Sequence, residues 1–208
     1  MNEFDLKAAG WDDNPMHTER SRAIADNIRK NIPLNKNMKA LEFGAGTGTT
    51  SFFLSGDLGE ITMLDSSPEM VKRTKEKIQK SDLENLKAFE LDLEHNDFPG
   101  RFDLIFTQLV MHHIQDIESI IRKFYELLNQ SGYLAIADLY KESGSFHGEG
   151  FAGHNGFDPD ELSVTLEKAG FTGMNYTTCF TIMRDVAGKG LQPFDVFLLT
   201  CKKKLFPA

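Results

Sequence analysis

Five short apolar runs, separated by stretches of helical character, constrain this chain more than any other feature. They are "MKALEF" (38–43), "EITMLD" (60–65), "LKAFELD" (86–92), "FDLIFTQ" (102–108) and "YLAIADL" (133–139). A strand with one wet face would alternate apolar and polar residues, so these runs predict strands covered on both sides. The segments between them carry helix signals. In "SSPEMVKRTKEKIQKS", Ser67 is placed to cap, Pro68 stands at the first helical position and Glu69 in the first turn, while Val71, Thr74 and Ile78 share a face. "DIESIIRKFYELLNQSG" sets Ile117, Ile120, Ile121, Phe124 and Leu128 on one stripe, with Gly132 as the expected stop. "DPDELSVTLEKAGF" opens with the capping-box pattern Asp158, Pro159, Glu161 and closes at Gly170. "PMHTERSRAIADNIRKN" predicts an N-terminal helix with Ile24 and Ile28 facing inward.

The last third changes character. "MNYTTCFTIMR" and "PFDVFLLTCKK" are strand-like runs joined by the glycine-containing "DVAGKGLQ", a hairpin signal. Strand–helix alternation ending in a hairpin gives an α/β fold: a doubly wound, mostly parallel seven-stranded sheet with one antiparallel strand. The chain's 208 residues suit one domain, taken as 1–208.

Within that frame "LEFGAGTGTT" (41–50) stands out. It is a strand running into a glycine-rich turn and then a helix. In an open parallel sheet, ligands lie beyond the carboxyl ends of the strands. Glycines there let the backbone turn tightly and let a ligand approach without Cβ clashes. Asp65 closes the second strand about 20 residues on, where an acidic residue accepts hydrogen bonds from ribose hydroxyls. The ligand is therefore read as a nucleoside. A dinucleotide fingerprint would place glycine at position 49, where this chain has Thr49, and no Walker lysine follows. Glu42, two residues before the first glycine, suits a cationic ligand such as an ammonium or sulfonium.

Composition narrows the partners. A net charge of -8 argues against a nucleic-acid partner, and the one basic run, Lys202 to Lys204, reads as a solvated strand end. No stretch reaches the roughly 18 apolar residues of a membrane span, and the acidic start of the chain lacks the apolar core of a signal peptide. Cys179 and Cys201 have neither CxxC spacing nor a disulfide framework, and they read as reduced core thiols of a cytoplasmic protein.

The glycine motif, Asp65, "ELDLE" with Asp92, and "FDLIFTQLVMHHI", in that order and spacing, make the chain resemble the class I S-adenosylmethionine (SAM)-dependent methyltransferases. The resemblance covers nearly the whole chain and lies with the small-molecule branch similar to the ubiquinone/menaquinone-biosynthesis enzymes. It implies a Rossmann-like methyltransferase fold, S-adenosyl-L-methionine as cofactor and a small-molecule methyl acceptor, in a monomer or homodimer. By the same resemblance Gly44, Ala45 and Gly46 line the cofactor's methionine part, with Glu42 nearby, and Gly48 is counted among the cofactor-binding residues. Asp65 holds the ribose hydroxyls and Ser66 lies against the adenine. Asp92 accepts from the adenine amino group, Leu93 packs on the ring and Gln108 borders the methyl group. The competing readings are a nicotinamide-dependent oxidoreductase and a SAM-binding module without turnover.

Methyl transfer from a sulfonium needs positioning and water exclusion, and a base only where the acceptor holds its proton tightly. No catalytic triad is visible. "TQLVMHHI" stands where enzymes methylating amide or adenine nitrogens carry an Asn/Asp-Pro-Pro-aromatic tetrapeptide. His112 and His113 read as packing residues, with catalysis as the alternative. "KESGSFHGEGFAGHNGF" (141–157) is long for a strand–helix loop and is read either as a lid over the acceptor or as a surface loop, with His147 and His154 as candidate contacts. A metal is not expected, because no third ligand with recognisable spacing joins those two histidines. Residues 1–32 form a helical cap in which Trp11 either covers the cofactor or anchors the helix.

Overall fold

The computed structural model describes residues 3–204. Seven strands form one sheet in the order β3-β2-β1-β4-β5-β7-β6. They are β1 (Lys39–Phe43), β2 (Glu60–Asp65), β3 (Leu86–Glu90), β4 (Phe102–Gln108), β5 (Leu128–Leu139), β6 (Phe171–Val186) and β7 (Gly190–Lys203). β1 to β5 pair in parallel, while β7 runs antiparallel to both β5 and β6. This is the expected architecture, with β7 as the one antiparallel strand. The order reverses at β1, which pairs with β2 on one side and β4 on the other, so the crevice of an open α/β sheet opens at its carboxyl end.

Side-chain alternation divides the core into two layers. Ala40, Leu104, Phe106, Ala135 and Leu198 join Ile24 and Ile28 of α2 (Pro15–Asn31, after the short α1, Glu3–Lys7) and Leu54 of α3 (Thr49–Leu54). Val71 of α4 (Pro68–Gln79) joins the same layer. Leu41, Phe43, Ile105, Ile136 and Leu199 face the other way, against Ile120, Ile121 and Phe124 of α5 (Ile117–Leu127) and Leu162 and Leu166 of α6 (Pro159–Lys168). The expected N-caps are in place, but the capping box at Asp158 is only half formed, since the Glu161 side chain turns to Lys141. Ser67 Oγ accepts from the Met70 amide at 3.2 Å, and Asp158 Oδ1 accepts from Asp160 at 2.8 Å. Glu161 pairs with Lys141 at 3.3 Å.

Two local expectations need correction. Gly132 does not stop α5: the helix ends at Leu127 and β5 begins at once with Leu128. The chain corrects its register with Ser131 at φ 61 and a bulge opposite Phe102 and Leu104. The basic run is not simply solvated, since Lys203 Nζ donates to the Tyr125 and Leu128 carbonyls at 2.6 and 2.9 Å. Both cysteines are free; Cys201 is buried, and burial pushes the Cys179 thiol up to about 12. No helix among the described residues is long and apolar enough to cross a membrane.

Candidate functional site

A cavity of about 1340 Å³ opens beyond the carboxyl ends of β1 to β4. Its floor is the glycine turn. Gly44 sits at φ +66, and a Cβ there would meet Val110 Cγ2 at 2.4 Å, so both backbone and space exclude a larger residue. Gly46, at φ +55, faces open space instead. Its amide donates to Asp65 Oδ2 at 2.7 Å, and the Ser67 amide donates to Asp65 Oδ1 at 2.8 Å. Each Asp65 oxygen thus keeps a further lone pair toward the cavity. Burial raises the Asp65 carboxyl above its ordinary range, opposed by those two amides.

Gly44, Ala45, Gly46, Asp65, Ser66, Asp92 and Gln108 all line the cavity. Asp92 accepts from the Glu94 amide and pairs with His95 Nδ1, both at 2.9 Å. The Gln108 amide is fixed by Thr50 Oγ1 at 3.0 Å and Ser21 Oγ at 2.9 Å.

Three expected contacts lie elsewhere. Glu42 is 1% exposed and off the cavity wall, and its carboxyl accepts a hydrogen bond from Ser51 Oγ of α3. Burial pushes that carboxyl up to about 8, so it is not a carboxylate facing a cation. Gly48, at φ +75, is a packing glycine: a Cβ there would meet Met63 Sδ at 2.7 Å. Leu93 is buried in the core layer beneath α5, and Leu91 takes the place on the cavity wall.

The far end of the cavity gathers imidazoles. The 3-10 turn Met111–His113 follows β4, and His112 Nδ1 meets Asp138 Oδ1 of β5 at 2.6 Å. Asp138 is 0% exposed and also accepts from the His112 and Leu139 amides at 3.2 and 2.7 Å. His113 and His147 complete the group, with His147 stacked on Phe151 at 3.8 Å. The nitrogens of His112, His113 and His147 lie within 4.8 Å of one another, the one three-residue group among the described residues that can hold a metal ion. Two of these imidazoles, His112 and His113, come from the turn after β4 and join His147 of the loop, a grouping that sequence spacing did not reveal.

His154 is not part of this group. Its Nε2 meets the Ile114 carbonyl at 2.9 Å and its amide donates to the His112 carbonyl at 2.7 Å, so it straps the 141–157 loop to the 3-10 turn. Phe146, His147, Glu149 and Phe151 of that loop do line the cavity.

The N-terminal segment closes the near side. Trp11, in the 3-10 turn Ala8–Asp13, lines the cavity and also packs on His17, with ring centroids 4.5 Å apart. Asp12 accepts from Thr47 Oγ1 at 2.6 Å and pairs with Lys77 at 3.0 Å, and Asp5 accepts from Ser67 Oγ at 2.6 Å. The cap is thereby pinned across the glycine turn. Sequence reading passed over Asp138 and Arg20. The only signal for Asp138 was an acid within an otherwise apolar strand, and for Arg20 a cation in the register of Ile24 and Ile28.

Residues 34–180 match the family described as "Methyltransferase domain". The chain is 32% identical over 149 residues to methyltransferase C1347.09 of Schizosaccharomyces pombe, covering 64% of this chain and 52% of that protein. It is 32% identical over 109 residues to the ubiquinone/menaquinone biosynthesis C-methyltransferase UbiE of Shewanella sediminis, covering 50% and 43%. The chain thus spans about half the length of these curated relatives or less. Among solved structures, the DhpI–SAH complex superposes with a TM-score of 0.72 at 19% identity, covering 98% of this chain and 94% of that one.

Proposed function

The chain belongs to this methyltransferase-domain family, and from that premise we propose that it transfers a methyl group from S-adenosylmethionine to a small-molecule acceptor, with His112 as the base. One observation carries the reading: a single cavity is lined by the glycine turn, by Asp65 and by His112, whose ring is held from behind by Asp138.

The residues present fit the cofactor. Gly46 leaves open space above the turn, Asp65 keeps lone pairs for two vicinal hydroxyls, and Asp92 offers an acceptor at the next strand end. When bound, the cofactor supplies an electrophilic methyl group on a sulfonium. Gln108, fixed by Thr50 and Ser21, borders the methionine end of the cleft.

The acceptor lies between Gln108 and the imidazoles, covered by Phe146, His147 and Phe151. Asp138 holds the His112 ring through Nδ1, which fixes the proton there and leaves Nε2 as the acceptor atom. Nε2 takes the proton of the attacking group, and the buried Asp138 carboxylate stabilises the imidazolium that forms. A base of this kind suits an acceptor whose nucleophile carries a proton, such as a hydroxyl or an activated carbon. The low exposure of His112, at 1%, keeps water from competing for it.

Two measurements test the reading. Calorimetry should detect S-adenosylhomocysteine binding without added metal, and a panel of protic small molecules should release S-adenosylhomocysteine in the presence of the wild-type protein. Binding of NADH in place of the thioether would overturn it.

A further inference from the structure

Arg20 of α2 is 6% exposed, and it lines the cavity with Gln108, His112 and Phe146. A guanidinium carries five N–H donors. Here Nη1 makes only a long 4.0 Å approach to the Met16 sulfur, and Nε has no hydrogen-bond partner among the described residues. Asp138 acts on Arg20 through space, because its oxygens are already taken by the His112 ring and the His112 and Leu139 amides. Burial pushes the Arg20 guanidinium down to about 10 against the pull of Asp138, which leaves it cationic at neutral pH.

A buried cation without a hydrogen-bonded anion is strongly unfavourable. Arg29, on the same helix, is by contrast paired at the surface with Asp26 at 2.7 Å and Asp57 at 2.9 Å. The fold thus pairs an arginine where pairing matters little and leaves another without a hydrogen-bonded anion where it matters most, on a cavity wall. Arg184 of β6 adds a second cation to the same wall, 4.6 Å from the Phe146 ring centroid.

We propose that Arg20 is an anion-binding residue: its guanidinium takes a carboxylate, or a group of like charge, on the molecule bound between Gln108 and His112. Under the methyl-transfer reading, on which the identity of the occupants rests, that group has two sources. One is the α-carboxylate of the cofactor's methionine end, and the other is an anionic acceptor.

The test uses the full chain with Arg20→Met and Arg20→Lys. Thermal unfolding of the ligand-free proteins comes first. Removing a buried charge that lacks a hydrogen-bonded anion should leave the Arg20→Met midpoint close to that of wild type, because the relieved desolvation offsets the lost attraction to Asp138. Calorimetry follows, with S-adenosylhomocysteine and its decarboxylated analogue. If the cofactor's carboxylate is the partner, Arg20→Met should weaken S-adenosylhomocysteine about tenfold or more and leave the amine analogue alone, with Arg20→Lys in between. If the acceptor supplies the anion, both thioethers bind alike to all three proteins. Acetate or sulfate should then raise the midpoint of the wild-type complex and not that of Arg20→Met. Equal response of wild type and Arg20→Met to every ligand and anion would overturn the proposal, as would a lowered midpoint in Arg20→Met with binding intact. Wild-type protein that binds no S-adenosylhomocysteine would count against methyl transfer alone, and the anion arm would still decide the role of Arg20.

Discussion

Glu42 offers a quantitative test of how the glycine turn is supported. Its carboxyl is 1% exposed and is held by Ser51, and burial raises it from an ordinary 4.5 to about 8. A carboxyl whose folded value is raised contributes stability that is complete below about 4.5 and is lost as pH rises through about 8. One pH step is worth about 1.36 kcal/mol, so the gap from 4.5 to about 8 corresponds to at most about 5 kcal/mol lost across that window. Glu42→Gln keeps the shape and can still accept from Ser51, but it cannot ionise. Urea unfolding of wild type and Glu42→Gln should therefore give similar stabilities near pH 5. The variant should become the more stable by several kcal/mol at pH 8. Asp65 is also raised, and its charge helps to raise Glu42, so the difference between the two proteins reports Glu42 together with its coupling to Asp65. Because Glu42 lies off the cavity wall, S-adenosylhomocysteine affinity at pH 7 should be nearly the same for both. Parallel stability curves, or a variant weaker at pH 8, would refute the reasoning, and a marked loss of affinity would return Glu42 to the ligand wall.

Four further outcomes follow from the site. Asp65→Ala should weaken S-adenosylhomocysteine by about 1.5–3 kcal/mol, the range for hydrogen bonds to a charged group, as read by calorimetry on protein whose circular dichroism is unchanged. His112→Ala should lower turnover about 10²–10⁴-fold with thioether affinity retained, and Asp138→Asn should act in the same direction; full activity in both would remove the base. His154→Ala should lower the melting temperature and spare the rate constant, because its ring binds the Ile114 carbonyl. His147→Ala should do the reverse. Prolonged chelation should change neither cofactor affinity nor turnover, whereas loss restored by a divalent ion would make His112, His113 and His147 metal ligands.

The sheet was legible because its information is local. Strands covered on both faces must be apolar throughout, and Ser67 and Asp158 cap their helices within three residues. Period-2 alternation then sorts Ala40 and Leu41 into opposite layers without knowledge of the partner helices. The start of β5 was not legible. Leu128 satisfies the helical stripe of α5, and only pairing with Phe102 commits it to the strand. The N-terminal cap was equally hidden, since Asp5 and Asp12 are ordinary surface acids until Ser67, Thr47 and Lys77 come within reach.

For the site, three acids at strand ends show what decides between ligand wall and scaffold. Asp65 is the last residue of β2, so its carboxyl emerges past the sheet, takes amides from the turns on both sides and still faces the cavity. Glu42 and Asp138 are each one residue short of a strand end, in β1 and β5. That single step back withdraws both into the sheet, at 1% and 0% exposure. Alternation then directs them apart: Glu42 shares its face with Ala40 and meets Ser51 of α3, while Asp138 shares its face with Ile136 and meets His112 of the turn leading into α5. A penultimate acid therefore acts through the residue it holds rather than by touching a ligand. Charge and spacing alone assigned Glu42 to the cofactor and left Asp138 without a role, because both depend on where the strand ends, and that is the boundary a sequence defines least sharply.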